Sequence, residues 1–130
     1  MTPTTAATQL ALAALIAAAP LAGSAATPAE LLATYRSAAG GAAPAAERGR
    51  QFFTTSHGRE WSCASCHGTP PTQTGKHANT GKPIAPLAPA FNGERFADAA
   101  KTEKWFRRNC NDVVGRECSA AEKADLMAWL

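Results

Sequence analysis

The stretch Trp61 to Gly68, WSCASCHG, constrains this chain more than any other part of it. Two thiols with two residues between them and a histidine directly after the second admit three chemistries. They are half of a zinc site, a redox-active dithiol, or covalent attachment of a haem whose iron the histidine ligates. Each demands a different surrounding architecture, so the rest of the sequence selects among them.

The first segment lies outside that architecture. Leu10 to Ala19, LALAALIAAA, is an apolar run ended by Pro20, and Ser24-Ala25-Ala26 has the small-x-small pattern of a signal peptidase site. Residues 1–26 are therefore expected to be a signal peptide cleaved before Thr27. The amino terminus supplies its positive end, because no Lys or Arg precedes the run. A spanning helix needs about 20 apolar residues, and neither this run nor any later one reaches that, so the mature chain is expected to have no membrane span. Export places the protein in the periplasm, an oxidising compartment. The remaining 27–130 is one small domain of about 104 residues, which gains from any large apolar cofactor it can enclose. Its 13 basic and 10 acidic residues leave a formal charge of +3, too small and too dispersed for a nucleic-acid surface.

Helix signals are frequent and strand signals nearly absent. Thr27-Pro28-Ala29-Glu30 is a capping box opening a helix that Gly40-Gly41 stops, and Ser119-Ala120-Ala121-Glu122 opens the last helix, with Leu126, Met127 and Leu130 on adjoining faces. A second helix is expected over Pro44–Thr54, with Gly49 and Phe53 on one face and Gly49 open to close approach by another helix. Asp98 caps a third, AAKTEKWFRRN, whose spacing puts Asn109 near Trp105 and Phe106. The segment Gly68–Gly93 has no apolar period and is rich in Pro, Gly, Thr and Asn. The fold class is all-α with one long loop.

A zinc site needs four ligands, yet the remaining thiols, Cys110 and Cys118, have seven residues between them instead of two to four. A thioredoxin-like dithiol belongs in a βαβ unit, which is absent. Haem attachment fits the motif, the export and the helical content, with Cys63 and Cys66 as thioether residues and His67 as proximal ligand. One covalent haem c also explains the long loop, since GKPIAPLAPAF can wrap porphyrin without regular structure.

Electron-transfer cytochromes c commonly close the sixth position with methionine. Of the two methionines here, Met1 leaves with the signal and Met127 sits in the last helix, where a core contact is the default. His57 and His77 offer bis-histidine ligation. Asn109 offers a weak amide-oxygen ligand that leaves iron high-spin and open to a diatomic gas. Cys110 and Cys118, left over in an oxidising compartment, are expected to pair as a staple. Such a bond also fixes the end of the helix carrying Asn109.

The stretches TPAELLATYRSAAG, AERGRQFF, CASCHG, TGKPIAPLAPAF, RFADAAKTEKWFRRNCNDVVGREC and AEKADLMAWL together resemble the sphaeroides haem protein family, high-spin class I cytochromes c that bind oxygen and nitric oxide. The most specific part is EKWFRRNCNDVVGREC. The resemblance implies a class I cytochrome c fold with first and last helices packed across each other. It implies His67 as proximal ligand, Asn109 as distal ligand and a Cys110–Cys118 disulfide. It further implies that the asparagine leaves the reduced iron, and that a dihaem cytochrome c and a membrane cytochrome b are redox partners.

Three functions follow. The first is a gas-binding haem protein that exchanges electrons with other cytochromes; the second is a plain electron carrier with closed iron. The third is a small haem enzyme with peroxidase or nitric oxide oxidising activity. An enzyme needs a positioned acid or base, and near Asn109 the sequence offers mainly Arg107, Arg108 and Asp112. The two arginines read more simply as a solvated helix face or a docking patch for an acidic redox partner.

Overall fold

The structure, a computed structural model, describes residue 1 and residues 25–130. The expected signal peptide, 1–26, lies almost wholly outside the described residues. In chain order the elements are α1 (Pro28–Ala38), α2 (Ala46–Thr54), α3 (Cys63–His67), β1 (Gly75–Lys76), β2 (Pro83–Ile84), a 3-10 turn (Pro89–Phe91), α4 (Ala99–Val113) and α5 (Ala120–Trp129).

The capping residues set three of the starts. Thr27 N–H donates to Glu30 at 2.8 Å while Glu30 N–H returns to Thr27 Oγ1 at 3.2 Å. Ser119 and Glu122 repeat the exchange at 2.7 and 3.2 Å. Lys101 N–H donates to Asp98 Oδ1 at 2.8 Å. α2 starts two residues later than Pro44, at a point where no side chain caps it. α4 continues beyond Asn109 to Val113, so Cys110 is helical.

Helix α5 is the common support. α1 meets it through Leu31 and Tyr35, which pack with Ala124 and Met127. α2 crosses it differently: a β-carbon at Gly49 would stand 2.0 Å from the Asp125 carbonyl oxygen and 2.9 Å from the Leu126 nitrogen. Only glycine allows the two backbones to touch in this way. One turn on, Phe53 is 2 % exposed and lies 4.9 Å from the Trp129 ring. The first and last helices do pack on each other, but the backbone-to-backbone crossing is made by α2, because α1 presents large side chains to α5.

Asp125 ties the start of α2 into this crossing. Its buried carboxylate accepts from Arg48 Nε at 2.7 Å, Arg48 Nη2 at 2.8 Å and the Ala45 N–H at 2.6 Å. Burial raises its pKa, but the Arg48 and Ala45 hydrogen bonds outweigh that and hold it below the usual carboxylate range.

The expected long loop contains little regular structure. β1 and β2 form a minimal antiparallel hairpin with Gly75 opposite Ile84 and Lys76 opposite Pro83. Between Gly68 and Asp98, only Pro71 and Ala88 are buried. No helix among the described residues is long and apolar enough to cross a membrane.

Candidate haem site

Cys63 opens α3 and His67 closes it. The i, i+3 spacing sets Cys63 and Cys66 on one face, and both remain free thiols. The first turn is fixed locally: Ser62 N–H donates to Ser65 Oγ at 3.0 Å, and the two hydroxyls lie 3.2 Å apart. The helix ends as Gly68 N–H donates to Ala64 O at 2.9 Å.

Two elements hold α3. From α2, the Phe53 ring stands 6.2 Å from the His67 ring, so the helix crossing below bears directly on the histidine. From the other side, the hairpin backbone lies on the end of α3. A β-carbon at Gly75 would be 2.1 Å from Cys66 O and 3.1 Å from His67 Cα. The hairpin turn adds a hydrogen bond from Ala78 N–H to Cys66 Sγ at 3.2 Å.

Burial controls the charges here. It pushes the Cys63 thiol up to about 11, with the neighbouring Cys66 adding to the shift. It also pulls His67 down to about 4, helped by the positive charge of Arg95. The imidazole is therefore neutral at pH 7, the form that can ligate iron. Arg95 is held by backbone carbonyls, donating from Nε to Pro86 O at 2.9 Å and from Nη2 to Ala85 O at 2.7 Å.

This donor set fits a covalently attached haem: two free thiols one turn apart with a neutral imidazole beside them. It does not suit four-coordinate zinc, because Cys110 and Cys118 are joined to each other as a disulfide. Among the described residues no group of three or more His, Cys, Asp and Glu side chains could hold a metal ion.

Asn109 lies on α4, one turn after Trp105, which is 43 % exposed. Its own side chain is exposed and has no hydrogen-bond partner among the described residues, whereas Asn111 folds back to donate to Arg107 O at 2.8 Å. The next residue, Cys110, is buried and disulfide-bonded. The other ligand candidates are engaged elsewhere. His57 Nε2 lies 2.8 Å from Phe52 O with its ring against the Phe52 ring. His77 sits exposed in the hairpin turn, its Nδ1 accepting from Thr80 N–H at 3.2 Å. Met127 is a core residue, 8 % exposed.

Sequence reasoning missed the two contacts that place these supports. Gly75 looked like one more loop glycine, and its value comes from a strand crossing α3. Glu103, on α4, accepts from Tyr35 Oη of α1 at 2.5 Å and from Lys123 Nζ of α5 at 2.8 Å. Lys123 also lies over the Tyr35 and Phe106 rings at 5.4 and 5.6 Å. A charged residue at 103 next to aromatics was visible, but its partners are 68 and 20 residues away.

Comparison with known proteins gives the family and the fold. Residues 39–130 match a family described as a domain of unknown function, DUF1924. The chain is 53% identical over 109 residues to cytochrome c-type protein SHP of Cereibacter sphaeroides, covering 80% of this chain and 82% of that one. It is 46% identical over 92 residues to cytochrome c'' of Methylophilus methylotrophus, covering 68% and 64% respectively. The structure of oxidised SHP, an oxygen binding cytochrome c, superposes with a TM-score of 0.76 at 50% identity, over 82% of this chain and 97% of that chain. The solution structure of cytochrome c'', solved for insight into haem-ligand detachment, superposes with a TM-score of 0.67 at 40% identity, over 78% and 90%.

Proposed function

From the premise that this chain belongs to the DUF1924 family, and with it to the haem c proteins that include SHP and cytochrome c'', we propose an exported monohaem cytochrome whose sixth ligand, Asn109, yields to diatomic gases. When bound, the haem would supply a redox-active, gas-binding iron; Cys63 and Cys66 would hold it covalently from one face of α3, and His67 would ligate its iron. Phe53 and Gly75 brace that histidine from two sides, which fits a ligand that stays in place.

The distal side has a different character. The observation that carries the proposal is the exposed, unpartnered Asn109 amide beside the anchored Cys110. An amide oxygen is a weak ligand, so oxygen, nitric oxide or carbon monoxide competes with it for the reduced iron. Engagement of His57 with Phe52 and of Met127 in the core favours Asn109 over those two residues. Electron exchange with a dihaem or membrane cytochrome would use the exposed cations of α4. Lys104 and Arg108 have no carboxylate partner among the described residues, and Arg108 lies 5.6 Å over the Trp105 ring.

The test is optical. Ferric and ferrous spectra of the purified protein are expected to be high-spin and to lack the methionine-to-iron band. The Asn109→Met variant is expected to become low-spin and to lose rapid carbon monoxide binding. Equal, slow carbon monoxide binding by both proteins refutes displacement of Asn109.

A further inference from the structure

The helix that carries Asn109 is attached to the rest of the chain quite differently from the helix that carries His67. α3 is held by the β1 backbone at Gly75 and by the Phe53 ring of α2, which stands against His67. α4 is tethered at its ends, with a polar knot in between. At its start, Ala26 N–H donates to Ala97 O at 3.0 Å. At its end, Cys110 is bonded to Cys118, and Arg107 approaches Glu117 at 3.4 Å. In the middle, Phe106 packs edge-on against Tyr35, with ring centroids 5.7 Å apart, and Glu103 lies one turn earlier on the same side.

Glu103 is the one charged group of α4 that reaches both supporting helices. Its carboxylate accepts from Tyr35 on α1 and Lys123 on α5. The Lys123 side chain is 14 % exposed and lies over two rings, while its counter-ion Glu103 is 41 % exposed, so the pair sits at the edge of the packed rings. Removing that charge leaves the ammonium with the rings alone, and its easiest relief is to swing toward water, which unpacks Phe106. Phe106 is three residues from Asn109, so that movement is passed along one turn of helix.

We infer that Glu103, bridging Tyr35 and Lys123, is a positioning residue that sets how firmly α4 presents Asn109, and so how readily a gas displaces it. This rests on the reading of Asn109 as the sixth ligand. The network acts on the competitor for the site and leaves the proximal His67 alone.

The test is a cycle on the holoprotein with Glu103→Gln, Asn109→Ala and the double variant, using carbon monoxide as the probe. A loosened α4 makes Asn109 a poorer competitor, so Glu103→Gln is expected to tighten carbon monoxide binding roughly 2- to 30-fold. It is also expected to speed hydrogen exchange of α4 amides relative to those of α5. In the Asn109→Ala background the same substitution is expected to leave affinity unchanged. Tyr35→Phe keeps the ring contact, acts in the same direction, and serves if Glu103→Gln does not fold. Asp125→Asn, which weakens the α2–α5 clasp instead, is expected to lower stability without changing affinity.

An unchanged affinity in Glu103→Gln and Tyr35→Phe overturns the inference, as does an equal change with and without Asn109, provided Asn109→Ala by itself alters binding. If Asn109→Ala alters neither the ferric spectrum nor the affinity, the ligand reading falls first and the inference falls with it.

Discussion

Replacing Gly49 with alanine tests the packing on which the whole site stands. The added methyl would be 2.0 Å from a backbone oxygen and 2.5 Å from its carbonyl carbon, both in α5. Ordinary contact begins beyond 3 Å, and neither atom is the end of a side chain that can turn away. The helices must therefore separate by an amount on the order of 1 Å. Overpacking of this kind costs about 1–3 kcal/mol. Separation also loosens Phe53, which is 2 % exposed, and full burial of such a ring is worth about 1.5–3 kcal/mol. Alanine returns about 1 kcal/mol through helix propensity. The net expectation is a loss of about 2–4 kcal/mol, or a Tm lower by at least roughly 10 °C for a domain of this size. Urea and thermal unfolding of the holoprotein, followed by circular dichroism, measure it. Gly93→Ala is the control: no atom lies within 4 Å of its β-carbon, so stability should be unchanged or slightly raised. If Gly49→Ala is as stable as the parent, α2 and α5 do not cross with their backbones in contact.

Other perturbations read other parts of the structure. Replacing both Cys110 and Cys118 with serine opens a loop spanning eight residues of sequence, which the chain-entropy estimate puts at about 2.5 kcal/mol of lost stability in a urea titration. Gly75→Ala should push β1 off the end of α3 and lower the fraction of chains carrying covalent haem, measured as haem absorbance per mole of protein; full incorporation would contradict the close approach at Cys66. Acid should destabilise the fold in a defined window. The Glu122 carboxyl is held down to about 2 from 4.5, chiefly by Arg116, and Asp125 and Glu103 are shifted in the same direction. Their stabilisation is complete above the unfolded value and fades as pH falls toward the folded one, because the unfolded chain takes up protons first. Unfolding free energies measured from pH 6 to pH 2 should fall, and Arg116→Ala should flatten the fall.

Where a helix begins was legible wherever the residues that begin it are neighbours. Thr27 with Glu30, Ser119 with Glu122, and Asp98 satisfy amide groups within three residues, so the sequence alone located α1, α5 and α4. α2 has Ala45 at its cap position, which offers no side-chain acceptor, and its start was placed two residues early. The third helix was read as AAKTEKWFRRN, ending at Asn109. The helix runs on to Val113, and the first positive-φ glycine after it is Gly115. At the site, the grouping of Cys63, Cys66 and His67 was readable because they are near neighbours in sequence. Gly49 was half readable: the sequence showed room for a neighbour, and only the fold says that the neighbour is α5. Asp125, Glu103 and Gly75 were not readable, since each acts on a partner whose place depends on the tertiary fold.

That division follows the division of labour within the molecule. The α3 side is built from local sequence and close packing: a five-residue helix, the Phe53 ring of α2 against His67, and the Gly75 backbone on Cys66 and His67. The backbone contact at Gly75 resists small changes, because movement of His67 toward β1 must carry the hairpin with it. The side that carries Asn109 is held by the Glu103 ion pair, the Phe106–Tyr35 ring contact, the Cys110–Cys118 disulfide and one backbone hydrogen bond from Ala26 to Ala97. Side-chain contacts exchange at lower cost than backbone contacts, so under the proposed reading this arrangement suits a chain that gives up Asn109 while keeping His67 in place. The disulfide limits how far such a release can go. It pins Cys110, the neighbour of Asn109, to Cys118, so under the proposed reading Asn109 moves while α4 stays attached just ahead of α5.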